Sequence, residues 1–378
     1  MNLWQKLTRN GLGLLFSLLP KDRKKVFCQS FIGRGYSDNP KPLAEELLRR
    51  GYSVYWTVKG EKEAASLPKE IHPVFLGTFG EIYHRATAGV WIDNCRKWGH
   101  LFKRPGQYYI QTWHGFPLKR IEGDAVEALD PEYVETAKKD SQMADLFLSD
   151  SRFLTEIYRR AFWYDGDILE CGFPRNDLLF GEHPELAEKV RNALGLEQGK
   201  RLLLYAPTYR KDKGLSVYDV DYARCVKALE KRFGGEWLIL ARLHPNVAEK
   251  AAELKLPPMV RNASDYPDIG ELYLACDALL TDYSSSMFDF MNTGKPCFLY
   301  VNDLAAYEND RNFTFDLNLL PFSRAADNNA LEESILSFEE GRQAEKVQEF
   351  RREFGMVEPT GNAAGKTIDH LEQRRNSQ

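Results

Sequence analysis

From Lys25 onward, short apolar runs alternate with stretches whose apolar positions recur at helical spacing, and Gly or Pro marks the joins. Val26–Phe31, Tyr52–Val58, Val74–Leu76, Val90–Asn94, Tyr108–Gln111, Leu146–Ser149 and Ile168–Gly172 read as strands. Helices are predicted over Pro40–Arg50, stopped by Gly51, near Gly80–Ala88, and over Arg152–Phe162. The second half repeats the style, with strands at Arg201–Tyr205, Trp237–Leu240, Ala278–Leu280 and Pro296–Val301. Its helices are Pro184–Leu194, Tyr222–Phe233, Ile269–Cys276 and Phe288–Asn292, followed by charged helices after Asp327. Near-continuous apolar strands separated by helices predict parallel sheets covered on both faces, an α/β protein. No solenoid period and no low-complexity linker interrupts the pattern.

The N-terminus breaks this rhythm. Leu3, Trp4, Leu7, Leu12, Leu14, Leu15, Phe16, Leu18 and Leu19 are interleaved with Lys6 and Arg9 and followed by Lys21, Arg23, Lys24 and Lys25. A basic, Leu-rich, Trp-bearing segment suits the headgroup plane of a membrane. A helix packed on its own domain and a signal peptide are the alternatives, though no small-x-small cleavage site follows. No apolar run approaches the roughly 20 residues that span a bilayer.

The chain has 378 residues, which makes two domains the natural expectation. The domains are expected as an amphipathic surface segment over 1–24, Rossmann-like halves over 25–172 and 173–355, and a helical tail over 356–378. A hydrophobic fraction of 43% and a charged fraction of 28% describe an ordinary globular protein. The net charge of −4 gives no sign of a nucleic-acid binder. Six cysteines show no CxxC or CxxH spacing, so reduced thiols fit better than disulfides or a zinc site.

Candidate chemistry falls at the strand ends, where ligands sit in open α/β sheets. Tyr108–Gln111 runs into Thr112-Trp113-His114-Gly115. His114 is placed for proton transfer beside a glycine that lets a substrate approach the backbone, or else is a histidine satisfied by carbonyl groups. Arg201–Tyr205 ends in Ala206-Pro207-Thr208-Tyr209-Arg210, and Trp237–Leu240 leads to Arg242-Leu243-His244-Pro245. Arg242 and His244 share one face of the strand exit and could hold phosphate oxygens. Ser284-Ser285-Ser286 opens a helix after a strand, as an anion site, a helix cap, or both. Asp289, a turn further in, either accepts from a polyol hydroxyl or lies on a solvated face. Arg175 sits at the junction of the halves. Gly33-x-Gly35 lacks the third glycine of a dinucleotide fingerprint, and no GxxxxGK[ST] or GxSxG exists. Asp165-Gly166-Asp167 reads as a turn rather than a metal-binding pair.

Trp113-His114-Gly115-x-Pro117-Leu118-Lys119, Pro174-Arg175-Asn176-Asp177, Ala206-Pro207-Thr208, Arg242-x-His244-Pro245 and Asp282-Tyr283-Ser284-Ser285 together resemble the CDP-glycerol glycerophosphotransferase family of teichoic acid synthesis. The likeness runs in order from about Val26 to Pro321. It implies a GT-B fold, two Rossmann-like domains with a cleft between them, and a peripheral protein on the cytoplasmic face of the cell membrane. It implies CDP-glycerol as donor and a polyprenyl-diphosphate-linked disaccharide as acceptor, with CMP released. His114 would then be the general base, and His244, the second catalytic residue, would with Arg242 bind the phosphates and stabilise the departing CMP. Trp113 and Gly115 would bind substrate beside the base, and Arg175, Pro207, Thr208, Arg210, Ser284, Ser285 and Asp289 would line the donor site. No cofactor and no obligatory metal is expected, because cations and a helix N-terminus can neutralise charge in phosphoryl transfer. Chain length suggests a primase-like member. A nucleotide-sugar glycosyltransferase and a CDP-ribitol or capsule phosphotransferase are the alternatives. The family's usual Thr after Trp-His-Gly is Phe116 here, a change expected to alter acceptor contacts.

Overall fold

The computed structural model describes residues 11–13, 15–97, 103–208, 219–243, 256–304 and 313–377. The chain divides into two compact units. Unit 1 holds residues 1–114, 121–177 and 355–378, and unit 2 holds 115–120 and 178–354. His114 and Gly115 therefore belong to different units.

The sheet of unit 1 has seven parallel strands: β1 (Asp22–Gln29), β2 (Ser53–Val58), β3 (His72–Phe75), β4 (Ala88–Asp93), β5 (Tyr108–Gln111), β6 (Leu146–Ser149) and β7 (Asp167–Glu170). Their order is β3-β2-β1-β4-β5-β6-β7, so the succession reverses between β1 and β4. Alternate residues face opposite sides of a strand, and β1 shows this directly. Val26 and Cys28 join a core with Leu43 and Leu47 of the helix Pro40–Arg49 and with Ile368 and Leu371 of the helix Ala363–Asn376. Phe27 faces the other way, into a core with Trp91, Tyr109, Phe147 and the helix Arg152–Ala161. Both faces are covered, which is why the strands read as unbroken apolar runs.

The segment expected as a tail over 356–378 is part of this core. The Asp177 carboxylate accepts the main-chain N–H groups of Ala363 and Ala364, each at 2.8 Å, and so satisfies the first turn of the last helix. The helix Pro131–Met143 was not foreseen. It is capped by Asp130, which accepts from the N–H groups of Glu132 and Tyr133.

Unit 2 carries six parallel strands: β8 (Arg201–Tyr205), β9 (Trp237–Ala241), β10 (Val260–Asn262), β11 (Ala278–Thr281), β12 (Cys297–Tyr300) and β13 (Ser323–Ala325). The order β10-β9-β8-β11-β12-β13 reverses between β8 and β11. The helix expected over Phe288–Asn292 starts earlier, at Ser286, and ends at Phe290, continuing as a 3-10 turn to Thr293. Gly294 then leaves with a φ of +69°, a conformation glycine adopts without steric cost.

All six cysteines are free thiols, and all but Cys95 are buried. Among the described residues no helix is long and apolar enough to cross a membrane. Of the basic, Leu-rich N-terminus, residues 1–10 and 14 lie outside the described residues. Leu15, Leu18 and Leu19 are exposed, as are Phe79 and Tyr83 of the helix Phe79–Thr87. The Phe16 ring meets the Tyr83 ring edge-on at 5.7 Å.

Candidate active site

Ligands of open α/β sheets sit outside the carboxyl ends of the strands where the strand order reverses. In unit 1 that point is flanked by the turn after β1 and by Asp93, the last residue of β4, and Asn94 after it, with β5 next to it. His114 follows β5 by three residues. Its Nδ1 lies 2.7 Å from the main-chain oxygen of Asn94. A carbonyl only accepts, so Nδ1 carries the hydrogen and Nε2 is left with its lone pair. Among the described residues Nε2 has no hydrogen-bond partner. The two readings of His114 are thus both realised, one on each nitrogen.

The surroundings hold the imidazole in this state. Burial pushes its pKa below the ordinary histidine value, against the Asn94 bond and the Asp38 charge, which raise it; Arg175 lowers it further and Glu122 raises it. Neutral imidazole is the base form, and it therefore prevails at neutral pH. The Trp113 ring lies 4.2 Å from the imidazole, tilted by 30°, and Phe31 meets it edge-on at 5.7 Å.

Four of the six non-glycine residues with positive φ among the described residues lie around this histidine: Phe31 (42°), Ile32 (57°), Asp38 (60°) and Trp113 (52°). For a β-branched residue such as Ile32 this region is unfavourable, and backbone strain of this kind gathers at functional sites. Hydrogen bonds hold the strained turns. Asn94 Oδ1 accepts from the Phe31 N–H at 2.8 Å, and Gln111 Oε1 accepts from the Trp113 N–H at 3.0 Å. The fully buried Asn39 donates from Nδ2 to the Trp113 oxygen at 3.1 Å and accepts the Arg175 N–H on Oδ1, also at 3.1 Å. Arg175 thus joins the His114 cluster. Its guanidinium pairs with Asp38 at 3.4 Å and lies 4.7 Å over the Phe173 ring.

A buried ionic network supports the floor. Arg96 bonds Asp140 and Glu122, each at 3.3 Å, and the Ser141 hydroxyl at 2.8 Å, while its guanidinium lies 5.9 Å from the Trp113 ring. Lys97 pairs with Asp93 at 2.6 Å.

In unit 2 the reversal falls between β8 and β11 and is marked by Pro207, Thr208 and Asp282. Asp282 accepts the Thr208 N–H at 2.9 and 3.0 Å and the Thr208 hydroxyl as well, so that hydroxyl's hydrogen is committed to the carboxylate. Pro207 is buried beside it. Ser284 Oγ accepts from the Ser286 N–H at 3.3 Å and the Ser286 hydroxyl at 2.8 Å, whereas Ser285 makes no side-chain cap. The helix these serines open is only five residues long, so its dipole is small. Asp289 is buried, which removes the solvated-face alternative. Arg242 leaves β9 with its N–H on the Tyr205 oxygen at 2.8 Å, and its guanidinium bonds the main-chain oxygens of Tyr266 and Ala263. Burial lowers its pKa. The expected roles of His244 and Arg210 fall on positions outside the described residues.

Gly115, with a φ of 154°, begins the short excursion of the chain into unit 2. There Phe116 is buried, 4.5 Å from Phe288 and about 6 Å from Phe315, Phe350 and Phe354. The expectation that Phe116 alters acceptor contacts is thereby corrected. The ring fills an aromatic core and has no surface left for a substrate.

Asp38, Asn39 and Asn94 were not singled out by the sequence. Asn94 carried a usable signal, since it ends an apolar strand run as His114 does. Asn39 carried none, because its partners lie 74 and 136 positions away.

A sequence model of the CDP-glycerol:poly(glycerophosphate) glycerophosphotransferases matches residues 13–372. A teichoic acid glycerol-phosphate transferase of Staphylococcus aureus is 34% identical over 329 residues, covering 83% of this chain and 84% of that protein. The teichoic acid poly(glycerol phosphate) polymerase of Bacillus subtilis is 33% identical over 322 residues, covering 82% of this chain but only 43% of the polymerase. The polymerase of the same name from Bacillus spizizenii is 28% identical, with 94% of each protein covered. Among solved structures, the wall teichoic acid polymerase TagF superposes with a TM-score of 0.82 at 29% identity, over 98% of this chain and 94% of that one. A TagF variant soaked with CDPG gives 0.84 at 28% identity over the same shares. Both the length of these matches and the identity are large enough to assign membership: the chain belongs to the CDP-glycerol:poly(glycerophosphate) glycerophosphotransferase family.

Proposed function

We propose that this chain transfers glycerol phosphate from CDP-glycerol to a hydroxyl group of a polyprenyl-diphosphate-linked acceptor at the cytoplasmic membrane surface, releasing CMP. The observation that carries the chemistry is the Asn94 carbonyl on Nδ1 of His114, which leaves Nε2 as a proton acceptor on a pinned imidazole. The acceptor hydroxyl gives its proton to Nε2 while its oxygen attacks the phosphorus that bears glycerol. The bond from that phosphorus to the oxygen bridging it to CMP breaks, and CMP leaves with the electron pair. Positioning and charge neutralisation are sufficient for such a step. Unit 1, which carries His114, is assigned the acceptor, and unit 2 the nucleotide. Arg242, His244 and Arg175 meet the phosphate charge; Pro207, Thr208, Arg210, Ser284, Ser285 and Asp289 line the rest of the donor site.

The match to a TagF structure soaked with CDPG supports the donor, and the exposed Leu15, Leu18, Leu19, Phe79 and Tyr83 support the membrane surface. Length does not separate primase from polymerase, since a polymerase is matched end to end. The test is incubation of the purified protein with a synthetic lipid acceptor and, in turn, CDP-glycerol, CDP-ribitol and UDP-sugars. Release of CMP with CDP-glycerol, and a product mass increased by glycerol phosphate, is expected. Turnover of a UDP-sugar in its place would overturn the assignment, and the number of units added separates one-step from repeated transfer.

A further inference from the structure

We propose that Asp38 is a positioning residue for this reaction: its carboxylate, on the turn after β1, holds the Arg175 guanidinium and balances that charge beside His114. The inference rests on the reading of the site given above.

Asp38 and Arg175 lie 137 positions apart and meet at 3.4 Å, with both side chains about nine-tenths buried. Asp38 takes a left-handed backbone with φ at 60°, and its Oδ1 accepts the N–H of the next residue at 2.5 Å. That next residue is Asn39, which grips the main chain of both Arg175 and Trp113. One dipeptide therefore holds Arg175 twice, by its main chain and by its head group, and also holds the residue that carries His114 into place.

Among the described residues, the charges that act most on His114 are Asp38 and Glu122 on the negative side and Arg175 on the positive side. Removing the Asp38 charge leaves Arg175 less well opposed, so protonation of His114 becomes harder. Arg175 also loses a carboxylate that helps orient its planar fork, and misplacement of a positioned group by about 1 Å can cost on the order of a hundred-fold in rate.

The test is Asp38→Asn, which keeps the shape and removes the charge. Expected are an ordinary circular dichroism spectrum, a fall in kcat of roughly ten- to a hundred-fold, and an acid limb of kcat/KM displaced to lower pH. A purely structural role would lower activity without moving that limb. In the Arg175→Gln background, Asp38→Asn should add little further loss, because the two act as a unit. Losses that multiply, or an unmoved limb, overturn the proposal. NMR titration of the His114 ring in wild type and Asp38→Asn reads the same coupling without substrate. A downward shift there, in a protein that releases no CMP from CDP-glycerol, would count against the reaction and for the role of Asp38. An unshifted ring in an active enzyme would count the other way.

Discussion

His114 and Asn94, on adjacent strand ends of one sheet, are joined by a ring nitrogen and a main-chain oxygen 2.7 Å apart. A main-chain acceptor cannot titrate or rotate away, so the tautomer is set by the fold itself. Many histidine bases are oriented by a carboxylate, which would raise the ring's pKa; a carbonyl orients it with less electrostatic pull. His114 → Ala should therefore lower kcat/KM by roughly a hundred-fold or more, while CDP-glycerol binding measured by calorimetry persists. In the wild type the acid limb of kcat/KM should lie below the ordinary histidine range, because burial depresses the pKa and the base stays unprotonated to lower pH. A limb at or above about 6.5 would show that another group is titrating.

The aromatic core around Phe116 makes a separate prediction. Truncating a buried Phe removes its contacts and leaves a cavity, at a cost of about 3–5 kcal/mol. Phe116→Ala should lower the denaturant midpoint of unit 2 accordingly, and Phe116→Leu should cost clearly less. If Phe116→Ala left stability unaltered and changed only the choice of acceptor, the side chain would be a substrate contact after all.

His84 offers a pH test away from the site. It stacks on Tyr55 with ring centroids 4.3 Å apart, its Nδ1 is buried without a partner, and Lys25 lies nearby. Burial first, then Lys25 and His72, lower its pKa to about 4. Unfolded, it would titrate near 6.5. Between those values the unfolded chain binds the proton and the folded chain does not, so stability present above the upper value drains away as pH falls towards the lower. His84→Phe keeps the stacking and removes the proton site. It should shift the acid-unfolding midpoint down by about half a pH unit and leave neutral stability nearly unchanged. A midpoint that stays put, followed by fluorescence during acid titration, would clear His84 of any part in acid sensitivity.

Membrane contact is checked by flotation with vesicles of anionic and neutral lipid. Leu18→Asp combined with Phe79→Asp, at two of the exposed apolar positions, should reduce co-flotation, most clearly with neutral lipid, where basic residues give little help. Equal flotation of the variant and the wild type would assign the attraction to other parts of the chain.

Much of this molecule was readable before any coordinates. Tyr108–Gln111, Leu146–Ser149, Arg201–Tyr205 and the helix Tyr222–Phe233 fall where hydrophobic periodicity put them. These elements bury an apolar face, so pattern and packing report the same thing. The helix Pro131–Met143 escaped because half of its buried positions are polar: Asp140 and Ser141 face inward to satisfy Arg96. β10 and β13, at three residues each, are too short to show a period. In the site, single strand ends were legible, since an apolar run closing on His, Arg or Ser is visible locally. Partnerships across the chain were not. Nothing near Asp38 in sequence announces Arg175, and nothing near Thr208 announces that Asp282 takes its hydroxyl hydrogen.

The last helix, Ala363–Asn376, supplies Ile368 and Leu371 to the same core as Val26 and Leu43 near the other end of the chain. During synthesis that side of the amino-terminal sheet is therefore covered only in part, by the helix Pro40–Arg49, while residues 178–354 of unit 2 are made. The half begun first is finished last. A growing chain that has not yet reached Leu371 leaves apolar side chains of that sheet in water, and loss of the helix Ala363–Asn376 would harm the half of the molecule that is made first.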